Sequence, residues 1–250
     1  MTIVSTTTIQ TSAEGHVHGV IEKLRVLIVG GIPAGALLVG LGSRVAMFIL
    51  RITSPDSVRG VQSDDDFTIG RFTLAGTYNL LLLGAAVGII GAAVYMMVRP
   101  WLIGPMWFRR LTTGLAAAAV AGSMLVHADG IDFKILKPTW LAIGLFVALP
   151  FLFGALIGAS VDAVQRPDSW TARGRRRWAL ALMCVACFPA TLFPLVIALI
   201  ALVLWAALKA SGLISLLRRI PAYGLVIRSL WLLIAVAGLI ELVNDINAIT

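Results

Sequence analysis

An all-α, polytopic transmembrane helical bundle is the fold class predicted for this chain of 250 residues, and three observations predict it. Hydrophobic residues make up 59% of the chain, against roughly 45–50% in a soluble domain. Charged residues are only 13%, where about 25% is usual. The mean hydropathy is +0.96, and the apolar residues fall into long runs rather than into alternation. High hydrophobicity and low charge exclude a disordered chain. Two cysteines exclude a disulfide scaffold. The expected organisation is a mobile polar tail over residues 1–22 and a bundle over 23–250 with six spans, or seven membrane segments in the alternative.

The tail is rich in Thr and Ser, a composition that leaves a terminus unanchored. It is not read as a signal peptide, because the apolar stretch begins only after Lys23 and Arg25. The small Ala34-Gly35-Ala36 site follows only about ten apolar residues, and the run continues past it, so an uncleaved anchor is expected. His16 and His18 in the tail can hold a metal weakly, although a solvated tail is the plainer reading.

A bilayer core needs roughly 20 apolar residues in a helix, since lipid cannot satisfy the amides of strand or coil. The runs are residues 26–50, 72–98, 111–126, 140–161, 179–208 and 227–243. The first is interrupted only by Ser43 and Arg44. The second carries no charge, and the third is short. The fifth is long and holds Pro189 and Pro194.

Basic residues between spans set orientation. Lys23, Arg25, Arg99, Arg109, Arg110, Arg166, Arg173, Arg175, Arg176 and Arg177 share one face, ten in all. Arg51, Arg59, Arg71, Lys134 and Lys137 make five on the other. If the fifth run is one span, Lys209, Arg218, Arg219 and Arg228 raise the five to nine. If it is a hairpin turning near Pro189 and Pro194, the count is thirteen against five. Its first arm would then be too short to cross alone. In both arrangements the arginines after the fourth run predict a cytoplasmic N-terminus.

Glycines recur four apart at Gly31 and Gly35, Gly84 and Gly88, and Gly154 and Gly158; Gly114, Ala118 and Gly122 continue the pattern. Small residues at that spacing let helix backbones approach closely. They predict a compact bundle with spans two, three and four at its centre. Trp101, Trp107, Trp140, Trp170 and Trp178 lie at span ends, as an interfacial belt requires.

The first and third loops share a face in either arrangement and hold Asp56, Asp64, Asp65, Asp66, Asp129 and Asp132, six of the twelve acids. Arg44 lies about 27 Å into the first span, near the same level. Asn79 lies about 10 Å into the second, and His127 closes the third. An ionisable group inside a span usually finds a partner, so Arg44, Asn79, Asp64, Asp65, Asp66, His127, Asp129 and Asp132 form the candidate polar cluster. Carboxylates with an imidazole suit a hard cation, zinc or manganese. The plainer reading is solvated loop acids, helix caps and an arginine that snorkels.

Cys184 and Cys187 form a C-x-x-C pair on one apolar helix face, where packing is expected rather than redox work. No phosphate loop, H-E-x-x-H or G-x-S-x-G motif occurs, and no cofactor is implied. The net charge of +8 belongs to residues flanking spans. Without a folded soluble domain, nucleic acid is not an expected partner.

The stretches Thr53-Ser54-Pro55-Asp56-Ser57-Val58-Arg59-Gly60, Ser63-Asp64-Asp65, Phe67-Thr68-Ile69-Gly70, Val98-Arg99-Pro100-Trp101-Leu102 and Leu125-Val126-His127-Ala128-Asp129-Gly130 resemble a group of uncharacterised multi-pass membrane proteins of actinobacteria. The likeness covers about residues 24–160. It implies a bacterial plasma-membrane location and no mechanism. The expected role is a non-catalytic component that supports or assembles a membrane complex, with the bilayer and other membrane proteins as partners and no oligomeric state implied. The alternative is a small solute, ion or proton transporter or channel with Arg44, Asn79, His127 and Asp129 at its entrance. A membrane enzyme using His127 as acid or base comes third.

Overall fold

The computed structural model describes residues 19–58, 60–61, 73–128, 130–169, 178–188, 190–211 and 222–250. Among these the regular structure is helical and no strand occurs. The helices are α1 (Gly19–Thr53), α2 (Leu74–Val98), α3 (Met106–Leu125), α4 (Ile131–Ile135), α5 (Thr139–Val164), α6 (Trp178–Ala186), α7 (Leu192–Ala210) and α8 (Tyr223–Ile249). Gly19, Val20, Ile21 and Glu22, assigned above to the tail, already belong to α1. Residues 1–18, with His16 and His18, lie outside the described residues.

Among the described residues, four helices are long and apolar enough to cross a membrane: α1, α2 with its extension to Trp101, α5 and α8. The third run became a helix of 20 residues, but Arg109 and Arg110 in its first turns and its many small residues lower its hydropathy. The fifth run is divided into α6, which ends at Ala186, and α7, which begins at Leu192. Pro189 lies outside the described residues. Pro194 sits in the first turn of α7, where the backbone N–H has no helical acceptor to lose.

α1 is a single helix of 35 residues with two widened π-helical stretches, Leu27–Gly31 and Ala36–Gly42. Pro33 lies between them, and a proline inside a helix removes one ladder hydrogen bond and crowds the carbonyl four residues back. Widened turns are one way a helix absorbs such a defect.

The same stretch crosses α2 glycine on glycine. A Cβ on Gly31 would lie 2.5 Å from Gly88 O, and one on Gly84 would lie 2.6 Å from Gly35 O. A second crossing joins α3 to α5, where a Cβ on Gly154 would lie 2.7 Å from Thr113 O. The four-residue glycine spacing thus serves packing within the chain. It does not put spans two, three and four at the centre, however. The most apolar stretch of α1 is 56% buried, against 33% for each of α2 and α5 and 6% for α8. Gly30 lies against Val161 on α5, and Ser160 Oγ donates to Gly30 O at 2.8 Å. α1 is therefore held between α2 and α5, because its glycines admit both neighbours.

Two apolar cores result among the described residues. One gathers Val26, Ile32, Ile89, Tyr95, Val161 and Ala198 from α1, α2, α5 and α7. It lies toward the end where α1 begins, called here the basic end. The other gathers Leu50, Val58, Val126, Phe133, Leu136 and Leu242 at the opposite, loop end.

α8 begins at the basic end. The rings of Tyr223 and Trp101, just beyond α2, meet edge to face at 5.4 Å. Arg228 Nε donates to Trp101 O at 3.3 Å. α8 then follows α3 in the same direction, with Gly238 against Ala119 and Val120. Farther along, Leu242 lies against Gly122.

Candidate functional site

The expected cluster lies at the loop end, where the first and third loops do meet. Ser54 Oγ donates to Lys137 O at 3.1 Å and accepts from Lys137 N at 2.9 Å. Val58 packs with Phe133 and Leu136 below them. Arg44 is half-buried, and its guanidinium lies over Gly76 at the start of α2, where a Cβ would be 2.5 Å from Nη2. Thr73 opens α2 by accepting from Gly76 N at 3.1 Å, an ordinary N-cap. Asn79 and His127 are exposed, whereas Asp132 is buried in the first turn of α4. Arg44 and Asp132 are both engaged by neighbours. Asp64, Asp65, Asp66 and Asp129 lie outside the described residues. Among the described residues, no three His, Cys, Asp or Glu side chains gather to hold a metal.

The more deeply built polar site is at the basic end, and the sequence reading passed over it. Its centre is Asp162 in the last turn of α5, 8% exposed. Tyr95 Oη on α2 donates to Asp162 Oδ2 at 3.1 Å. Arg99 Nε lies 2.8 Å from Asp162 Oδ1. That approach is an ion pair whose N–H points off line, so Oδ1 gains charge compensation without a hydrogen bond. Arg99 also donates to Gln165 Oε1. Tyr95 on α2 and Arg99 at its C-cap stand four apart, and Asp162 on α5 and Gln165 at its C-cap three apart, and both caps keep helical backbone, so each pair shares a helix face. Those spacings were the available signal. It was missed because the fourth apolar run was closed at residue 161, one position before the acid.

Arg25 fastens the start of α1 to the same place. It is 7% exposed. It donates through Nε to Glu22 Oε2 at 2.9 Å, through Nη1 to Ser169 Oγ at 3.1 Å, and through Nη2 to Val164 O at 3.0 Å. Charge-assisted bonds of this kind are the strong ones, and a buried arginine without them would be costly.

Beside the Arg99–Asp162 pair lies a cleft of about 290 Å³, lined by Met96, Arg99, Pro100, Leu102, Arg109 and Gln165. Arg109 is positioned by its Nε–H, which donates to Gly104 O at 2.9 Å. Gly104 turns the chain into α3 at φ +94°, a conformation that favours glycine.

Cys184 and Cys187 are both reduced and half-buried. Cys187 packs with Met183 against the core of the basic end, as expected of packing residues. The network holds helices and presents cations. Among the described residues it brings no nucleophile together with a histidine base.

No family model, no curated protein and no solved structure matches this chain.

Proposed function

We propose that this chain is a non-catalytic component of a membrane complex and docks a partner helix along the outward side of α8. The observation that carries this is Glu241. It is exposed on α8 among exposed Leu239, Ile240 and Val243. It makes no ion pair or hydrogen bond among the described residues. Thirteen residues separate it from Arg228, which at 1.5 Å per residue is about 20 Å. That leaves it roughly 10 Å inside the far edge of a 30 Å core. A carboxylate facing lipid there is costly and calls for a donor from another chain. Asn244 lies on the same stripe of the helix and is exposed as well.

We further propose seven membrane segments in a bacterial plasma membrane, with the N-terminus cytoplasmic. The direction of α8 supports seven over six. α5 ends at the basic end and α8 starts there, so the chain between them must cross an even number of times. α6 is only nine residues long, too short to span alone, so α6 and α7 together make a hairpin entering from the basic side. That arrangement joins Arg228 to the basic face, the arrangement in which thirteen cations oppose five. The actinobacterial resemblance supports the location.

The test is purification of a tagged copy from native membranes in mild detergent, with mass spectrometry of what accompanies it. A stoichiometric membrane partner is expected, and Glu241→Leu should release it while the chain itself remains folded. A single clean species from the wild type would sink the reading.

A further inference from the structure

The geometry points to a binding site for a phosphate group in the cleft between the end of α2, the start of α3 and the end of α5. This inference is independent of the docking face on α8, which lies on another helix. Among the described residues, every polar side chain that lines the cleft can donate. Arg99 and Arg109 offer guanidinium N–H groups. Gln165 has its Oε1 occupied by Arg99, which leaves its amide nitrogen as a donor. Among the described residues, no carboxylate lines the cleft. Asp162 stands behind Arg99 and balances that one charge. Arg109 has no carboxylate within ion-pair distance among the described residues. Among the described residues the cleft therefore carries a positive charge that no carboxylate balances.

Two further features match a phosphate ester. α3 begins with no side-chain cap, so its first amides leave partial positive charge just before Arg109. The other wall is apolar, made by Met96, Pro100 and Leu102. A donor wall facing an apolar wall suits a ligand with an anionic head and a hydrocarbon body. A volume of about 290 Å³ exceeds a bare phosphate and approaches the small end of ligand sites. Trp101, part of the interfacial belt, closes the same turn. Basic pockets between helices at this level hold anionic headgroups. The source of the phosphate is either an anionic phospholipid or a free phosphate from solution.

The experiment follows thermal unfolding of the detergent-purified full chain. Short-chain phosphatidylglycerol, phosphatidylcholine of the same chain length, and inorganic phosphate against chloride at equal ionic strength are titrated separately. A saturable rise in Tm with phosphatidylglycerol but not with phosphatidylcholine is expected, and assigns the site to lipid. A saturable rise with inorganic phosphate also supports the site and assigns it to the free anion. Arg109→Gln should raise the half-saturating concentration at least about tenfold, the factor for one lost charge-assisted bond. Gln165→Leu keeps the charge and should raise it by a smaller factor. Arg110→Gln is the control, because Arg110 lies against Met106 Sδ and does not line the cleft. Native mass spectrometry of retained lipid gives the same comparison should a variant unfold too early to titrate. The proposal is overturned if no ligand gives a shift that depends on Arg109. It is equally overturned if phosphatidylcholine matches phosphatidylglycerol, or if Arg110→Gln weakens binding as much as Arg109→Gln.

Discussion

The two ends of the bundle hold themselves together by different means. At the basic end the ties are side chains projected from the helices themselves. Tyr95, Asp162 and Arg25 are buried, and the Tyr95 bond to Asp162 and the Arg25 bonds to Val164 and Ser169 cross from one helix to another or to its continuation. At the loop end the helices are closed by an apolar cluster that draws on both loops, and the polar tie between Ser54 and Lys137 is exposed. The difference follows from the solvent. Between membrane helices lipid supplies no hydrophobic drive, so close backbone contact and interhelical polar bonds must set the packing. Loops outside the bilayer meet water, so burying Val58, Phe133 and Leu136 stabilises that end in the usual way.

The comparison breaks most visibly if the glycine crossing next to the basic core is filled. A side chain on Gly35 would overlap the Gly84 carbonyl and lie 2.6 Å from Gly88 Cα. Backbone cannot yield as a flexible side chain can. Gly35→Leu should therefore cost at least the ~3 kcal/mol at the top of the overpacking range, and no monodisperse species should survive size exclusion in detergent. Gly144→Ala is the matched control, because nothing lies within 4 Å of its Cβ position; its Tm should hold.

The next effect is electrostatic and tests whether the basic end rests on its charge pair. Asp162→Leu leaves Arg99 without its partner. Arg99 is 39% exposed and can turn toward the headgroups, so the loss should be about 1–3 kcal/mol, below the figure for a wholly buried pair. A cycle with Arg99→Leu isolates the coupling. Strictly additive losses in Tm would mean that the two groups are neighbours without being partners.

How much of this was legible in the sequence depends on what each feature requires. Glycines four apart can be read directly, since helical spacing places them on one face, and they became the crossings of α1 with α2 and of α3 with α5. Which run meets which could not be read, because spacing carries no partner identity. Burial of α1 was missed for that reason. The meeting of the first and third loops was readable from topology alone. The direction of α8 was not, because the run over 179–208 is long for one span and short for two, and hydropathy does not distinguish a hairpin from a crossing. Asp162 was hidden by its position just past an apolar run, where an acid reads as a boundary. Only the approach of Tyr95 and Arg99 turns it into the centre of a site. Arg44 was found because a charge inside an apolar run stands out at once, yet its contact with Gly76 belongs to the fold.

Arg44 supplies the smallest and sharpest test at the loop end. Its guanidinium rests over the backbone of Gly76 and ties α1 to the first turn of α2. If that anchoring is its role, Arg44→Ala should cost about 1 kcal/mol or less, a fall in Tm of roughly 2–4 °C for a chain of this size. Gly76→Ala should reproduce part of the fall, because a methyl group there would displace the guanidinium. The double variant should then add little, since both changes remove one contact. A transporter with its entrance at this end requires a different pattern. There Arg44→Ala would abolish uptake into vesicles while Tm stayed unchanged, and Gly76→Ala would leave uptake largely intact. The two patterns cannot coexist, so one pair of variants, read by Tm and by flux, decides whether this end binds a solute or only closes the bundle.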